Sequence, residues 1–276
     1  MMDELKIAKV DIGQIVRSEF AGKKIPGFFI KILKWIGHEE GLNKLFASAP
    51  GKKNLDFVDA CMDFYRIKCD VNGLENLPDD GKPLIFVSNH PLGALEAICI
   101  AHVIGHRCNG KINFYANEIL TWVEPLKEKF IPVSKKGYQN RESVKKVQEF
   151  FQSDEHVVIF PAGATSRKYG NKIIDLEWHK NFVQKSVQYQ RDVIPLYFKG
   201  KNSAFFYLLE KFREMIRSKV NFEMLFLVDE IFKQRGNTFT LYIGKPVGWQ
   251  TFDNTKTPRQ WAQTVKKMVY KLPENE

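Results

Sequence analysis

A chain of 276 residues, 44% hydrophobic and 13% aromatic, can bury one substantial core, which excludes disorder over most of its length. Its 42 Lys and Arg against 32 Asp and Glu leave a formal net charge of +10, which favours an anionic partner such as nucleic acid, anionic lipid or a phosphate-bearing substrate. Four cysteines, Cys61, Cys69, Cys99 and Cys108, show no paired spacing, so a reducing compartment is expected rather than a disulfide scaffold.

In chain order, residues 1–6 have neither the apolar stretch nor the cleavage site of a secretory leader, and no run approaches the roughly 20 apolar residues of a spanning helix. The chain is therefore expected neither exported nor transmembrane. Residues 1–62 read as helical. Over 25–36 the apolar side chains cover more than half of a helix circumference and leave Lys31 and Lys34 on a narrow strip, a wide arc for a helix lying on a single core. Gly37 ends that helix and Gly41 precedes a second apolar piece, 42–47, so a helix pair with a tight turn is expected.

From Tyr65 onward, strand-like runs alternate with helical ones, the pattern of an α/β layer. Strands are expected at 66–71, 84–88, 112–116, 157–160, 193–198, 223–228 and 239–243. Helices are expected from His90 to Gly105, around Ile119, Trp122, Val123 and Leu126, around Val144, Val147, Phe150 and Phe151, and over 178–189. A last one starts at Thr257-Pro258, a good N-cap and first-turn pair. The stretch 205–219 places Phe205, Leu208, Leu209, Phe212, Met215 and Ile216 on one face, with Lys211, Arg213 and Arg217 elsewhere. Alone, such a helix most often docks on a core; beside the wide arc at 28–36, a membrane-facing role gains weight.

Two strand ends carry chemistry. The run 84–88 is broken by Asn89-His90-Pro91 before Gly93 leads into a helix, and strand ends feeding helices are where open α/β sheets build their sites. His90 can act as a base and Glu96, six residues on, as the carboxylate that holds its tautomer. A lone histidine there is more often a hydrogen-bonded polar tip; the flanking Asn89, Gly93 and Glu96 shift the balance. The second strand, 157–160, runs into Pro161-Ala162-Gly163-Ala164-Thr165-Ser166-Arg167-Lys168. Gly163 lets the backbone approach a ligand, the following N–H groups suit a carbonyl oxygen or an anion, and Arg167 and Lys168 attract carboxylate or phosphate. An ordinary strand-to-loop turn is an equally good reading of this segment by itself.

Together the two segments resemble the glycerolipid acyltransferase family, over most of the chain after residue 60. The family's catalytic pair is an Asn-His followed by four residues and an aspartate. Asn89 and His90 match; the four-residue spacing falls on Leu95, and the nearest carboxylate, Glu96, is one position later and one methylene longer. The family's Phe-Pro-Glu-Gly-Thr-Arg segment corresponds to Phe160-Pro161-Ala162-Gly163, with Ala162 in place of the glutamate and Thr165 in place of the arginine. Its Phe-Ile segment with a following arginine resembles Phe130-Ile131-Pro132-Val133, where Val133 holds the arginine position and Lys135 and Lys136 follow; its closing Val-Pro pair resembles Val193-Ile194-Pro195. The residues lost are those that clamp an acceptor phosphate. The His-Pro-Leu-Gly and Phe-Pro-Ala-Gly forms resemble the bacterial branch that adds an ester-linked second chain to acylated amino acids such as glycine or ornithine lipids.

The resemblance implies an α/β fold with a central mixed, mostly parallel sheet flanked by helices, a membrane-associating helical region at 1–62 and an acyltransferase domain at 63–276. His90 and Glu96 would carry catalysis, and Asn89, Lys135, Lys136, Gly163, Ala164, Thr165, Ser166 and Arg167 would bind substrate. The implied reaction moves a fatty acyl chain from acyl carrier protein or acyl-CoA to a lysolipid hydroxyl, either a monoacylated amino-acid lipid or 1-acylglycerol 3-phosphate, at the cytoplasmic face of the inner membrane. No cofactor is expected, and without a Gly-x-Ser-x-Gly turn no covalent acyl-enzyme. The alternative is a weakened member that binds lipid or carrier without turnover.

Cys99, His102, His106 and Cys108 have zinc-like spacing, but the order matches no recognised finger or ribbon and Gly105 is expected to end that helix, so no metal is expected. His38, His156 and His179 read as surface residues. Aromatic and basic residues interleave at 199–206 without a binding module, so nucleic acid is not an expected partner.

Overall fold

The computed structural model describes residues 9–19, 25–117, 123–133, 141–216 and 226–274. In chain order it contains α1 (Ile12–Glu19), α2 (Gly27–Ile36), α3 (Glu39–Ser48), α4 (Asn54–Tyr65), β1 (Lys68–Asn72), β2 (Ile85–Ser88), α5 (Leu95–Arg107), β3 (Ile112–Asn117), β4 (Phe130–Val133) and α6 (Arg141–Gln152). Then follow β5 (His156–Ile159), β6 (Arg167–Tyr169), β7 (Lys172–Ile174), α7 (Asn181–Tyr189), β8 (Val193–Lys199), α8 (Ala204–Met215), α9 (Leu227–Lys233), β9 (Thr238–Ile243) and α10 (Pro258–Lys271).

One sheet runs in the order β1-β9-β8-β2-β5-β3-β4. The strands from β8 to β4 are mutually parallel, while β9 runs antiparallel to β8 and parallel to β1, so the sheet is mixed and mostly parallel as expected. Parallel strands covered on both faces read as continuous apolar runs, and β2 is buried throughout. Its Phe86 joins one core layer with Leu95, Ile100 and Ile104 of α5, whereas Ile85 and Val87 join the other with Trp178, Phe182 of α7 and Val265 of α10. Helix α10 starts as its sequence dictates: Thr257 and Gln260 form a capping box and Pro258 occupies the first turn.

Several boundaries differ from expectation. The strand expected at 223–228 is contradicted from Leu227 onward, where α9 begins; 223–225 lie outside the described residues. The short run Phe226-Leu227-Val228 fits either period, and Asp229 and Glu230 in the first turn favour a helix start. Gly105 does not end α5, which continues to Arg107. A Cβ at Gly105 would lie 2.4 Å from Leu55 Cδ2, so the glycine serves the close approach of α4 to α5. Of the helix expected around Ile119, residues 118–122 lie outside the described set and Glu124–Lys129 form a 3-10 turn. The antiparallel pair β6 and β7 was not anticipated, although its two-residue loop Gly170-Asn171 is a recognised hairpin signal. The division drawn at 62/63 falls inside α4, whose Phe57, Val58, Cys61 and Met62 belong to the core.

The N-terminal helix pair forms as expected, with its turn at Gly37-His38. His38 is not a free surface side chain: Nε2 lies 2.8 Å from Asp229 Oδ1 and the ring stacks on Phe232 at 4.3 Å. His156 is likewise engaged, its Nδ1 accepting from the Leu84 N–H at 3.1 Å, and burial lowers its pKa below the ordinary imidazole range. Helix α2 turns Phe28, Phe29 and Trp35 outward, the last 78% exposed. Helix α8 docks through Phe206, Tyr207 and Glu210, so the core-docking reading of its long apolar face is overturned: Phe205, Leu208, Phe212, Met215 and Ile216 all point outward. Both helix groups attach to α9, α3 through His38 and α8 through Ser203, whose N–H and hydroxyl donate to Glu230 at 2.6 and 2.7 Å.

Candidate active site

At the carboxyl ends of β2 and β5 the two strand ends singled out in the sequence meet. His90 follows β2 directly. Its ring stacks on Phe160, just past β5, with centroids 4.3 Å apart and planes 25° off parallel. Its carbonyl accepts from the Ser166 N–H at 2.8 Å, and its own N–H donates to Asp175 Oδ1 at 3.1 Å. The histidine backbone is thus held from both sides independently of the ring.

Glu96 explains how a carboxylate one position late still reaches the base. Gly93 turns the chain at φ 85°, where a side chain is disfavoured and where a Cβ would lie 2.5 Å from Thr165 Cγ2. Helix α5 then starts at Leu95 and puts Glu96 in its first turn. From there Oε1 accepts from His90 Nδ1 at 2.9 Å and from the N–H groups of Leu92 and Gly93 at 3.1 and 3.0 Å. A carboxylate only accepts, so the imidazole proton sits on Nδ1 and leaves the Nε2 lone pair available. Glu96 is fully buried while the His90 side chain keeps 17% of its surface open, so only the imidazole can meet a ligand.

The remaining expected site residues separate into different roles. Asn89 is 2% exposed, and its amide donates to the Phe198 carbonyl at 3.0 Å and accepts from the Phe198 N–H at 2.7 Å. It extends the pairing of β2 with β8 through its side chain, which contradicts a substrate-binding role for that amide. Arg167 is buried, and its Nε is ion-paired with Glu210 of α8. The Ser166 hydroxyl donates to Asp175 Oδ1 at 2.5 Å, and Thr165 is buried under Gly93, so neither side chain faces solvent. Gly163 is exposed with its N–H given to the Phe160 carbonyl, and Ala164 is half-exposed. Lys135 and Lys136 lie outside the described residues.

Asp175 is the residue that the sequence did not single out. Its Oδ1 joins the His90 N–H to the Ser166 hydroxyl, its Oδ2 accepts from Trp178 Nε1 at 2.7 Å, and its N–H donates to the Tyr270 hydroxyl at 2.7 Å. Burial, reinforced by Asp175, pushes the Tyr270 phenol well above its ordinary range, so that group stays neutral. Local spacing offers only Ser166 and Trp178, nine and three positions away; the partners that tie Asp175 to the site and to α10, His90 and Tyr270, lie 85 and 95 positions away.

The family model described as Acyltransferase matches residues 16–275. The chain is 46% identical over 274 residues to a lyso-glycine lipid O-acyltransferase of Phocaeicola vulgatus, covering 98% of each chain. It is 43% identical over 265 residues to a lyso-glycine lipid O-acyltransferase of Bacteroides thetaiotaomicron, covering 95% of this chain and 97% of that one. Its fold is similar to the crystal structure of the 1-acyl-sn-glycerophosphate acyltransferase PlsC from Thermotoga maritima, with a TM-score of 0.50 at 18% identity over 95% of this chain and 88% of that one.

Proposed function

Because the chain belongs to the acyltransferase family and is a lysolipid acyltransferase, we propose that it places the second, ester-linked chain on a monoacylated glycine lipid, with His90 as its base. The observation that carries the chemistry is the His90–Glu96 contact of 2.9 Å, which orients Nε2 outward. The acceptor hydroxyl attacks the thioester carbonyl carbon of the acyl donor, a C–O bond forms and the C–S bond breaks. Nε2 takes the hydroxyl proton and returns it to the departing sulfur, which restores the neutral imidazole. Glu96 touches no reactant; it holds the ring and stabilises the transient imidazolium. The N–H groups of Gly163 and Ser166 are engaged within the fold, which favours those of Ala164 and Thr165 as the donors this turn offers to the thioester oxygen.

The choice of acceptor is read from the described residues of the site, which do not include Lys135 and Lys136. Arg167 is held by Glu210, and Ala162 and Thr165 stand where the family carries charged groups for a phosphate. A glycine headgroup presents one carboxylate in place of a phosphate dianion and so asks for fewer cationic partners, and near-full-length relatives named for lyso-glycine lipid support it. The 2.9 Å contact answers one motive for a binding-only member, the spacing of Glu96; the other is the loss of the family's two arginines, at Val133 and Thr165. Purified protein should be given acyl carrier protein and coenzyme A thioesters separately, with a monoacylated glycine lipid, its ornithine counterpart and 1-acylglycerol 3-phosphate. The expected result is a diacylated glycine lipid, with kcat/KM at least about tenfold above lysophosphatidate, equivalent to ~1.4 kcal/mol of discrimination. Preference for 1-acylglycerol 3-phosphate, or no product from folded protein, overturns the reading.

We place this activity at a membrane surface. No helix among the described residues is long and apolar enough to cross a membrane. The helix pair α2–α3 reaches α9 through His38 and α8 reaches it through Ser203, and Leu227 at the start of α9 lies against the turn at Gly93. Burying each large side chain stabilises by about 1.5–3 kcal/mol at most, and the +10 charge favours anionic lipid. Replacing Phe28, Phe29 and Trp35 with serine should lower binding to anionic vesicles at least about tenfold while the thermal midpoint holds. Unchanged flotation with the vesicles would remove the surface from the proposal.

A further inference from the structure

Away from His90, three donor side chains converge where the second half of α5 packs on α4. Asp59 of α4 and His102 and His106 of α5 bring Oδ1, Nδ1 and Nε2 within 4.8 Å of one another. His102 Nδ1 lies 2.8 Å from Asp59 Oδ1; His106 Nε2 lies 2.9 Å from the same oxygen and 3.1 Å from Oδ2. The two histidines are four residues apart, so one helical turn sets them on a common face. Their rings meet edge to face, 5.1 Å apart at 80°, which lets a nitrogen of each point at one spot. This is not the cysteine-containing quartet of the sequence: Cys99 is fully buried in the core and takes no part.

We propose that Asp59, His102 and His106 form a binding site for a divalent first-row transition ion, with Zn2+ as its representative. Two imidazole nitrogens and one carboxylate oxygen are the donors such ions prefer, whereas Mg2+ and Ca2+ select oxygen alone and Cu(I) selects sulfur. Bonds of about 2.0–2.2 Å put the ligand atoms of a tetrahedral ion roughly 3.3 Å apart. The present contacts of 2.8 and 2.9 Å therefore need to open by only a few tenths of an ångström. Side-chain exposures of 34% for Asp59, 39% for His102 and 51% for His106 give an ion an entry path and leave room for water to complete its shell.

The site joins two helices and reaches no reactant. From Glu96 to His102 is six residues along α5, about 9 Å at 1.5 Å per residue. A bound ion clamps α4 against the helix that carries Glu96, and its role is structural. The test is titration of the chelator-stripped full-length protein with Zn2+ against a chromophoric competitor, with Co2+ as the optical probe. One ion per chain is expected, binding at least about 100-fold more weakly in the H102A/H106A double variant, with nitrogen and oxygen ligand-field bands from Co2+ and no thiolate charge-transfer band. Asp59→Asn, which keeps the side-chain volume, should weaken binding too and guards against loss of fold in the double variant. Equal affinity in wild type and H102A/H106A, a thiolate band placing the ion on the cysteines, or no binding tighter than about 0.1 mM each overturns the site.

Discussion

His90→Ala is expected to lower kcat by about 10²–10⁴-fold, the range for removing a positioned general base, while the folded protein persists. The geometry separates the two effects. What holds this segment in place is backbone: the His90 N–H on Asp175 and the His90 carbonyl under Ser166 survive the substitution. Glu96 keeps the Leu92 and Gly93 N–H groups as donors when the imidazole is gone. The ring itself contributes a stacking contact with Phe160 and one hydrogen bond, together worth about 1–3 kcal/mol. The variant should therefore melt cooperatively a few degrees below wild type and bind vesicles as wild type does. Product formation within about twofold of wild type, from folded protein, would exclude His90 as the base, since that is under ~0.5 kcal/mol of the barrier.

What the sequence disclosed depended on whether the interaction was local. The buried strands β2, β5 and β8 were legible because a strand covered on both faces is a continuous apolar run. The start of α10 was legible because Thr257, Pro258 and Gln260 satisfy each other within one turn. His90 and Glu96 are six positions apart and could be paired by eye, although only Gly93 at positive φ explains why the late carboxylate reaches. Asp175, Phe160 against His90, and Arg167 against Glu210 are long-range contacts, and residue type alone does not announce them. Residue type marks Arg167 as an anion-binding candidate but does not show that it is buried with an acidic partner on α8. The apolar face of α8 was legible as a face but not in its direction, because helical periodicity is the same whether the stripe faces a core or a bilayer.

For Glu96 the sharper expectation is a loss that depends on His90 being present. Glutamine keeps the volume, and its Oε1 can still accept from Leu92, Gly93 and the imidazole; its amide N–H groups replace the buried, unpartnered Oε2, so E96Q should fold with a thermal midpoint a few degrees lower. What disappears is the negative charge that stabilises the imidazolium as the acceptor proton arrives, so kcat should fall about 10²-fold or more with KM little changed. Aspartate keeps the charge but withdraws it by one carbon–carbon bond, about 1.5 Å, which stretches a 2.9 Å contact beyond hydrogen-bond range. E96D should therefore also lose activity, even though aspartate is the residue the family pattern carries one position earlier. Alanine goes further: it leaves the buried Leu92 N–H and the half-buried Gly93 N–H without their acceptor, costs about 1–3 kcal/mol for the first and less for the second, and should lower the thermal midpoint clearly. The decisive comparison is a double-mutant cycle. If Glu96 acts through the imidazole, adding E96Q to His90→Ala should change the residual rate by less than about twofold, because there is no imidazolium left to stabilise. If the two losses instead multiply, Glu96 serves the fold rather than the base, and its carboxylate has no part in the proton transfer.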